Sequence, residues 1–334
     1  MPLLTGGLVA VVGAVVLAAA GGSYLGSTIA IGLGYGVTTV GMVVQLGYSK
    51  QLAFSQSVFM GVGAYGTGIL ETRYGLSSGE AVLATIGLGL VGSLVIGGIV
   101  TRAPGLALAL ATLLLPLFLY PLATFSSYLG SFTGIEGIAP LWNDSSYATM
   151  LVRSGIVIAV VLGLATAAAL RVMRSGVGLQ LMAMSEDERL AAGLGASLRQ
   201  RRLEVFVFGS VLATVGGALV ASSQGLVTPD ILAEPAEITL LIMVFVAGRK
   251  SVVAAIGGAV VIEYLTTSSA FISTNLTTFE AIALVLVLLL EPDGVAGLVG
   301  RGGRALRGRL ANRGAAGAVA ASDAAGSPDA AVAP

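Results

Sequence analysis

The residues best suited to chemistry in this sequence are uncharged polar side chains that interrupt long apolar runs. Gln45, Gln51, Ser55, Gln56 and Ser57 cluster where one apolar run ends and the next begins. Polar groups within membrane-spanning segments are costly, so they are functional candidates by default. Their amides and hydroxyls can replace the water around a polar solute, which predicts that Gln51, Ser55 and Gln56 line a solute pathway. The alternative is hydrogen bonding between helices, which stabilises by about 0.6–2 kcal/mol.

If this region is helical, Gln51 and Ser55 lie one turn apart and share a face. Two carboxylates also lie in apolar surroundings. Glu263 follows Val260-Val261-Ile262, and Glu237 precedes a short apolar run. Glu263 is predicted either to face the helix bundle as a structural or gating carboxylate or to lie near the outer interface. Glu237 is a further pathway candidate, although a carboxylate is also favourable at a helix start for electrostatic reasons alone.

The absent residue types exclude several chemistries. The sequence has no cysteine and no histidine, so disulfides, thiol nucleophiles, zinc fingers and histidine acid–base sites are ruled out. No G-x-x-x-x-G-K-[ST] phosphate loop is present, since Gly248-Arg249-Lys250-Ser251 has the wrong order. We therefore expect no enzyme activity, no metal and no cofactor bound by this chain. The net charge of zero gives no indication of nucleic-acid binding.

The composition predicts the elements that position these groups. Of 334 residues, 56% are hydrophobic and 10% are charged, whereas soluble domains carry about 25% charged residues. A spanning helix needs about 20 apolar residues. The fold class predicted is an all-α polytopic membrane protein with about ten transmembrane helices within residues 1–300. The approximate spans are 6–20, 24–46, 52–70, 81–101, 105–129, 154–171, 204–222, 237–248, 251–267 and 278–291.

The distribution of basic residues predicts the orientation, because cytoplasmic loops are enriched in Lys and Arg. With ten spans and the N-terminus inside, 15 of the 17 basic residues fall inside, and Arg73 and Arg153 fall outside. Both ends are then cytoplasmic. A model with eight spans and two re-entrant segments has the same orientation and is the second choice. Residues 301–334, first basic and then Ala/Gly-rich, are predicted to form a disordered cytoplasmic tail.

The longest strongly charged interruption, residues 172–203, is predicted to be a cytoplasmic loop containing a short helix. Ser185 and Glu188 have the spacing of a capping box at a helix start, and Gly193 and Gly195 are suitable stops. Leu190, Ala191 and Leu194 would then be apolar side chains available for docking. The alternative is a solvated connector helix with no partner.

At this loop the sequence resembles the permease subunits of branched-chain amino-acid ABC importers, and in particular the M-type subunit. GYSKQLAF at 47–54 and MGVGAY at 60–65 are similar to the family's G-Y-x-G-Q-L-S-L and G-I-G-A-Y. RSGVG at 174–178 with the segment from Glu188 to Gly195 is similar to R-S-x-F-G-R and E-x-x-A-x-x-L-G. Further similar segments occur in the same order at residues 105–112, 133–138, 237–248 and 291–294.

The resemblance implies a translocation pathway shared with a second permease subunit in the plasma membrane. It also implies two cytoplasmic ATPases that use ATP and an extracytoplasmic substrate-binding protein. Thr112 and Thr133, in matching segments, become pathway candidates with Gln51, Ser55, Gln56, Glu237 and Glu263. Ser185, Glu188, Ala191, Leu194 and Gly195 become candidates for ATPase coupling.

The sequence departs from the family at Ser55-Gln56-Ser57, at Leu117 and at Gly248-Arg249-Lys250-Ser251. The substrate class therefore stays open among branched-chain amino acids, other amino acids, urea and short amides, which close relatives handle. The rival function is a stand-alone channel or secondary transporter, which would need no docking loop. An intramembrane enzyme is disfavoured because no catalytic cluster is visible.

Overall fold

The structure is a computed structural model that describes residues 2–20, 22–103, 105–193, 197–248 and 250–268, with 275, 278–279, 281–282 and 285. Within these residues the chain is almost wholly helical. The tenth predicted span, 278–291, and the predicted tail, 301–334, fall largely or wholly outside the described residues. The α-helices are α1 Pro2–Ala20, α2 Tyr24–Met42, α3 Gln56–Thr72, α4 Ser78–Val100, α5 Leu106–Phe125, α6 Tyr147–Met173, α7 Gly176–Glu186, α8 Glu188–Gly193, α9 Leu198–Gln224, α10 Glu234–Ala247 and α11 Val252–Ser268.

Six of the described helices are long and apolar enough to cross a bilayer: α1, α2 with its π-helical extension Val43–Tyr48, α4, α5, α6 and α9. The prediction of an all-α polytopic membrane protein is confirmed at this level. The count of ten spans and the orientation stay predictions.

Glycine residues allow the backbones of the interior helices to pack closely against one another. Helix α9 packs against α2, α3 and α4. A Cβ on Gly217 of α9 would lie 1.9 Å from the Met60 carbonyl oxygen of α3, and one on Gly63 of α3 would lie 2.0 Å from the Thr214 carbonyl oxygen of α9. Small residues of this kind allow helix backbones in membranes to approach closely. Helix α1 packs mainly on α6 and leaves most of its surface exposed.

The bundle has two distinct ends. The end where α2, α4 and α6 finish and α9 begins carries Lys50, Arg102, Arg174 and Arg202, and we call it the basic end. At the opposite end the two-residue strands β1, Ile135–Glu136, and β2, Leu226–Val227, pair in antiparallel fashion. Exposed aromatic side chains there include Tyr74, Tyr128, Phe132, Trp142 and Tyr147. Aromatic residues of this kind are typical of a membrane–water interface.

Helices α3 and α10 are shorter than the six candidate membrane-spanning helices. With 17 and 14 residues they extend about 25 Å and 21 Å, against an apolar thickness of about 30 Å. Helix α3 begins inside the bundle, since Ser55 and Gln56 are fully buried. Such broken helices are tolerated where the backbone is enclosed by protein.

The predicted start of the third span is wrong. Residues 49–55 are not helical, so Gln51 and Ser55 do not share a helix face. Lys50 has a left-handed backbone conformation, with φ of 49°, and it redirects the chain after α2. The Phe54 N–H then donates to Thr112 Oγ1 at 2.9 Å. In an α-helix this N–H would instead donate to a backbone carbonyl oxygen of the preceding turn.

The predicted capping box at Ser185 is also wrong. Ser185 lies in the last turn of α7 and its hydroxyl donates to the Met182 carbonyl oxygen at 2.8 Å. The helix ends at Glu186, and the next residue, Asp187, has an extended backbone (φ −148°, ψ 106°). The Asp187 carbonyl then accepts the Ala191 N–H in the first turn of α8.

The prediction that Ala191 is available for docking is wrong, because it is only 3% exposed and packs within this chain. The Glu188 and Leu190 side chains, with Leu194 and Gly195, lie outside what the structure describes.

Candidate functional site

A buried polar cluster surrounds the start of α3, and we call it the polar centre: Gln45, Ser55, Gln56, Ser57 and Glu237. All five are at most 1% exposed. The Gln56 side-chain amide donates to Gln45 Oε1. The Gln45 amide in turn donates to the Phe206 carbonyl oxygen of α9 at 3.3 Å. The predicted pathway residues Ser55 and Gln56 are therefore brought together in the interior, beside α2 and α9.

Glu237 links α10 to the start of α3. It lies in the first turn of α10, and its Oε2 accepts the Ser57 backbone N–H at 2.7 Å. This N–H belongs to the first turn of α3, whose backbone donors have no partner within the helix. The carboxylate therefore caps the start of a neighbouring helix, where the helix dipole favours negative charge. Sequence reasoning placed Glu237 at its own helix start and had no signal for a partner 180 residues away.

The polar centre has hydrogen-bonding capacity left over. Ser55 Oγ and Gln56 Oε1 are buried without a hydrogen-bond partner in the described part of the chain. Buried polar atoms in native proteins are almost always paired with protein, water or ligand. These two atoms therefore have hydrogen-bonding capacity that no group in the described residues uses.

Gln51 and Thr112 have other surroundings. Gln51 is buried and lines a small cavity of about 60 Å³ at the basic end, with Lys50, Met184 and Arg202. Thr112 is fully buried and holds Phe54, so its hydroxyl is committed to the backbone of residues 49–55. Its placement supports a role in positioning the segment that leads to Ser55.

Thr133 lies apart from the other candidates, in an exposed 3-10 turn, Ser131–Thr133, at the opposite end of the bundle. Its hydroxyl donates to the Gly130 carbonyl oxygen at 2.8 Å. The structure therefore does not bring Thr133 to the polar centre.

Glu263 lines a larger cavity near the opposite end of the bundle. This cavity has a volume of about 300 Å³ and lies between α2, α9, α10 and α11. Tyr35, Asp230 and Met60 are also in its wall. Met60 follows Gln56 by one turn of α3, so the cavity adjoins the polar centre.

At the basic end, α7 has a buried and an exposed face. Gly178, Leu181 and Met184 are buried, whereas Leu179 and Met182 are 73% and 49% exposed. Sequence reasoning missed these two exposed apolar residues, although the three-residue spacing of the buried positions could have identified the two faces.

Lys50 links helix α7 to the non-helical segment that follows α2. The Lys50 ammonium group donates to the Ser185 carbonyl oxygen at 2.9 Å and to Glu186 Oε1 at 3.1 Å. Ala191, another predicted coupling position, is buried.

A comparison with protein families identifies a family that this chain matches. The family model described as "Branched-chain amino acid transport system / permease component" matches residues 24–290. The matched range contains the polar centre, the cavity at Glu263 and the α7–α8 segment. No curated protein and no solved structure matches the chain.

Proposed function

Because this chain belongs to the branched-chain amino acid transport permease family, we propose that it is the membrane permease subunit of an ABC importer. It forms a translocation pathway for branched-chain or related amino acids, together with a second permease subunit in the plasma membrane. Two cytoplasmic ATPases supply the energy by hydrolysing ATP, and an extracytoplasmic binding protein delivers the solute. This chain contributes the pathway and the docking surface, and it contains no phosphate loop of its own.

The observation that carries this proposal is the exposed apolar face of α7 at the basic end. Leu179 and Met182 are the exposed large apolar residues of that helix. Burial of apolar surface is worth about 25 cal/mol per Å², so covering two such side chains contributes substantially to docking. The positive-inside bias of the sequence supports a cytoplasmic location for the basic end, where an ATPase would be.

The contacts around Lys50 supply a mechanical route from the docking surface to the pathway. A partner that pushes on α7 moves Ser185 and Glu186, which hold the Lys50 ammonium group. Lys50 lies in the non-helical segment, residues 49–55, which leads to the start of α3. Displacing that start also moves α10, because Glu237 binds the Ser57 N–H. The two short helices therefore move together, and alternating access is the mechanism that we propose.

The experiment is co-purification of the tagged chain with the ATPase subunits encoded beside its gene. We expect an ATPase to co-elute and ATP hydrolysis to rise when the binding protein and its ligand are added. Leu179→Asp with Met182→Asp should abolish co-elution, because charged side chains cannot be buried in an apolar groove. Asn143→Ala, exposed near the opposite end, is the matched control and should retain it.

Solute uptake by the chain alone, without any ATPase, would support the rival function as a channel or secondary transporter. ATPase association unaffected by the α7 variants would refute the docking surface. Reporter fusions at Arg201 and Leu226, near opposite ends of α9, test whether this predicted seventh span crosses the membrane. Finding both reporters on one side of the membrane would refute that crossing.

A further inference from the structure

The cavity at Glu263 has an acidic and an apolar part. Its lining residues include Glu263 and Asp230, and those that the structure describes include no Lys or Arg. Met60, Val220 and Ile231 contribute apolar surface to the same wall. A volume of about 300 Å³ is at the lower end of ligand pockets, which measure about 300–1,000 Å³. The cavity is thus suited to a small solute with a cationic group and an apolar body.

Glu263 is the carboxylate best placed to bind a cation there. It is partly buried, whereas Asp230 is exposed at the edge. Charges attract more strongly where protein replaces water, so a cationic group gains more beside Glu263 than beside Asp230. The Thr267 hydroxyl donates a long hydrogen bond, of 3.4 Å, to Glu263 Oε1. The carboxylate can therefore still accept hydrogen bonds from a ligand.

We propose that this cavity is a solute subsite on the permease itself and that Glu263 accepts the ammonium group of the solute. The inference rests on the proposed function and narrows its substrate class to small molecules with a free ammonium group. Urea, neutral amides and 2-oxo acids lack that group and gain nothing from Glu263. The apolar wall holds the rest of the solute, and Met60 leads from the subsite to Gln56 of the polar centre.

The absence of cysteine from the sequence allows a direct test. Thr266→Cys places one thiol in the cavity wall, three residues from Glu263. The full chain is expressed in cells and labelled from outside with a cationic trimethylammonioethyl and an anionic sulfonatoethyl methanethiosulfonate. A carboxylate about 6 Å from the thiol should raise the ratio of the labelling rate of the cationic reagent to that of the anionic reagent by about tenfold. We therefore expect Glu263→Gln to lower the ratio by about that factor.

Two matched variants control for charge and folding. Glu263→Asp retains the carboxylate and should keep a ratio close to that of the Thr266→Cys parent. Glu136→Gln removes an exposed carboxylate from β1, outside the cavity, and should leave the ratio unchanged. L-Leucine should slow labelling of Thr266→Cys, and 4-methyl-2-oxopentanoate, the same skeleton without the ammonium group, should not.

A ratio unchanged by Glu263→Gln, or a thiol that neither reagent reaches, would overturn the subsite. Equal protection by the two solutes, or protection by neither, would overturn the ammonium assignment. Labelling needs only this chain in a membrane, so these outcomes are separate from co-purification. A failed ATPase association refutes the proposed function and leaves the charge of the cavity measurable.

Discussion

Replacing Glu237 by alanine tests whether this carboxylate holds the start of α3. In the structure its Oε2 accepts the Ser57 N–H at 2.7 Å, and the residue is 1% exposed. Alanine leaves that N–H buried without the acceptor and removes the negative charge from the helix start. We therefore expect Glu237→Ala to destabilise the protein and Glu237→Gln to be much milder, because glutamine retains an acceptor oxygen of similar reach.

The magnitude follows from two contributions. A buried donor without its partner costs about 1–3 kcal/mol. A charge at a helix end contributes up to about 2 kcal/mol in partly buried geometry. Together they predict a loss of about 2–4 kcal/mol in the free energy of unfolding for Glu237→Ala. For Glu237→Gln the lost charge interaction is offset by easier burial of a neutral amide, so we expect a change within about 1 kcal/mol.

The assay is reversible unfolding in mixed micelles with a rising fraction of dodecyl sulfate. Trp142 is the single tryptophan of the sequence, and the Arg153 guanidinium lies 5.9 Å from its ring centroid. Its fluorescence therefore reports the loss of this contact, and circular dichroism reports the helices. Glu234→Ala is the matched control, because Glu234 lies in the same first turn but is exposed. It should change stability by no more than about 0.5 kcal/mol.

Two outcomes would refute the reasoning. Wild-type stability in Glu237→Ala would mean that the Ser57 N–H does not depend on this carboxylate. Equal destabilisation by glutamine and alanine would mean that the charge, rather than the hydrogen-bond acceptor, dominates.

Three further predictions use the same unfolding measurement. Thr112→Val removes the acceptor of the Phe54 N–H and should cost about 1–3 kcal/mol, whereas Thr112→Ser retains the hydroxyl and should be nearly neutral. Gly217→Ala puts a Cβ 1.9 Å from a backbone carbonyl oxygen of α3 and should cost more than about 2 kcal/mol, since backbone cannot move aside cheaply. Gly87→Ala, with nothing within 4 Å, should instead stabilise α4 by up to about 1 kcal/mol; equal effects of the two alanines would contradict the packing of α3 on α9. Lys50→Ala removes exposed contacts and should change stability by no more than about 1 kcal/mol, yet it should weaken the stimulation of ATP hydrolysis by loaded binding protein. Undiminished stimulation would exclude Lys50 from the coupling route.

Local pattern was sufficient for the membrane helices. The run at 204–222 corresponds to α9, Leu198–Gln224, and the run at 81–101 to α4, Ser78–Val100. The charged residues at the ends of these runs lie next to the apolar residues within them. Because a bilayer requires about 20 apolar residues in succession, consecutive residues are enough to locate such helices. The short run at 237–248 was likewise predicted to be too short to span alone, and α10 is a helix of that kind.

The candidate site was only partly predictable. The cost of polar groups in apolar runs identified Ser55, Gln56 and Glu237 individually. The same rule also selected Gln51, which lines a separate cavity at the basic end. The rule identifies a polar residue in an apolar run, but it does not say which part of the fold that side chain faces. The capping-box pattern at Ser185 failed because Ser185 lies in the last turn of α7, and that helix ends at Glu186, before α8 begins.

The sequence by itself therefore determined that the chain is helical and embedded in a membrane, because both properties follow from the apolarity of consecutive residues. Only the tertiary structure decided where α3 begins and which groups face one another there. The Phe54 N–H finds Thr112 and the Ser57 N–H finds Glu237, across separations of 58 and 180 residues. A backbone donor buried in apolar surroundings must be satisfied by whatever group the fold brings to it, and that partner has no signature in the neighbouring sequence.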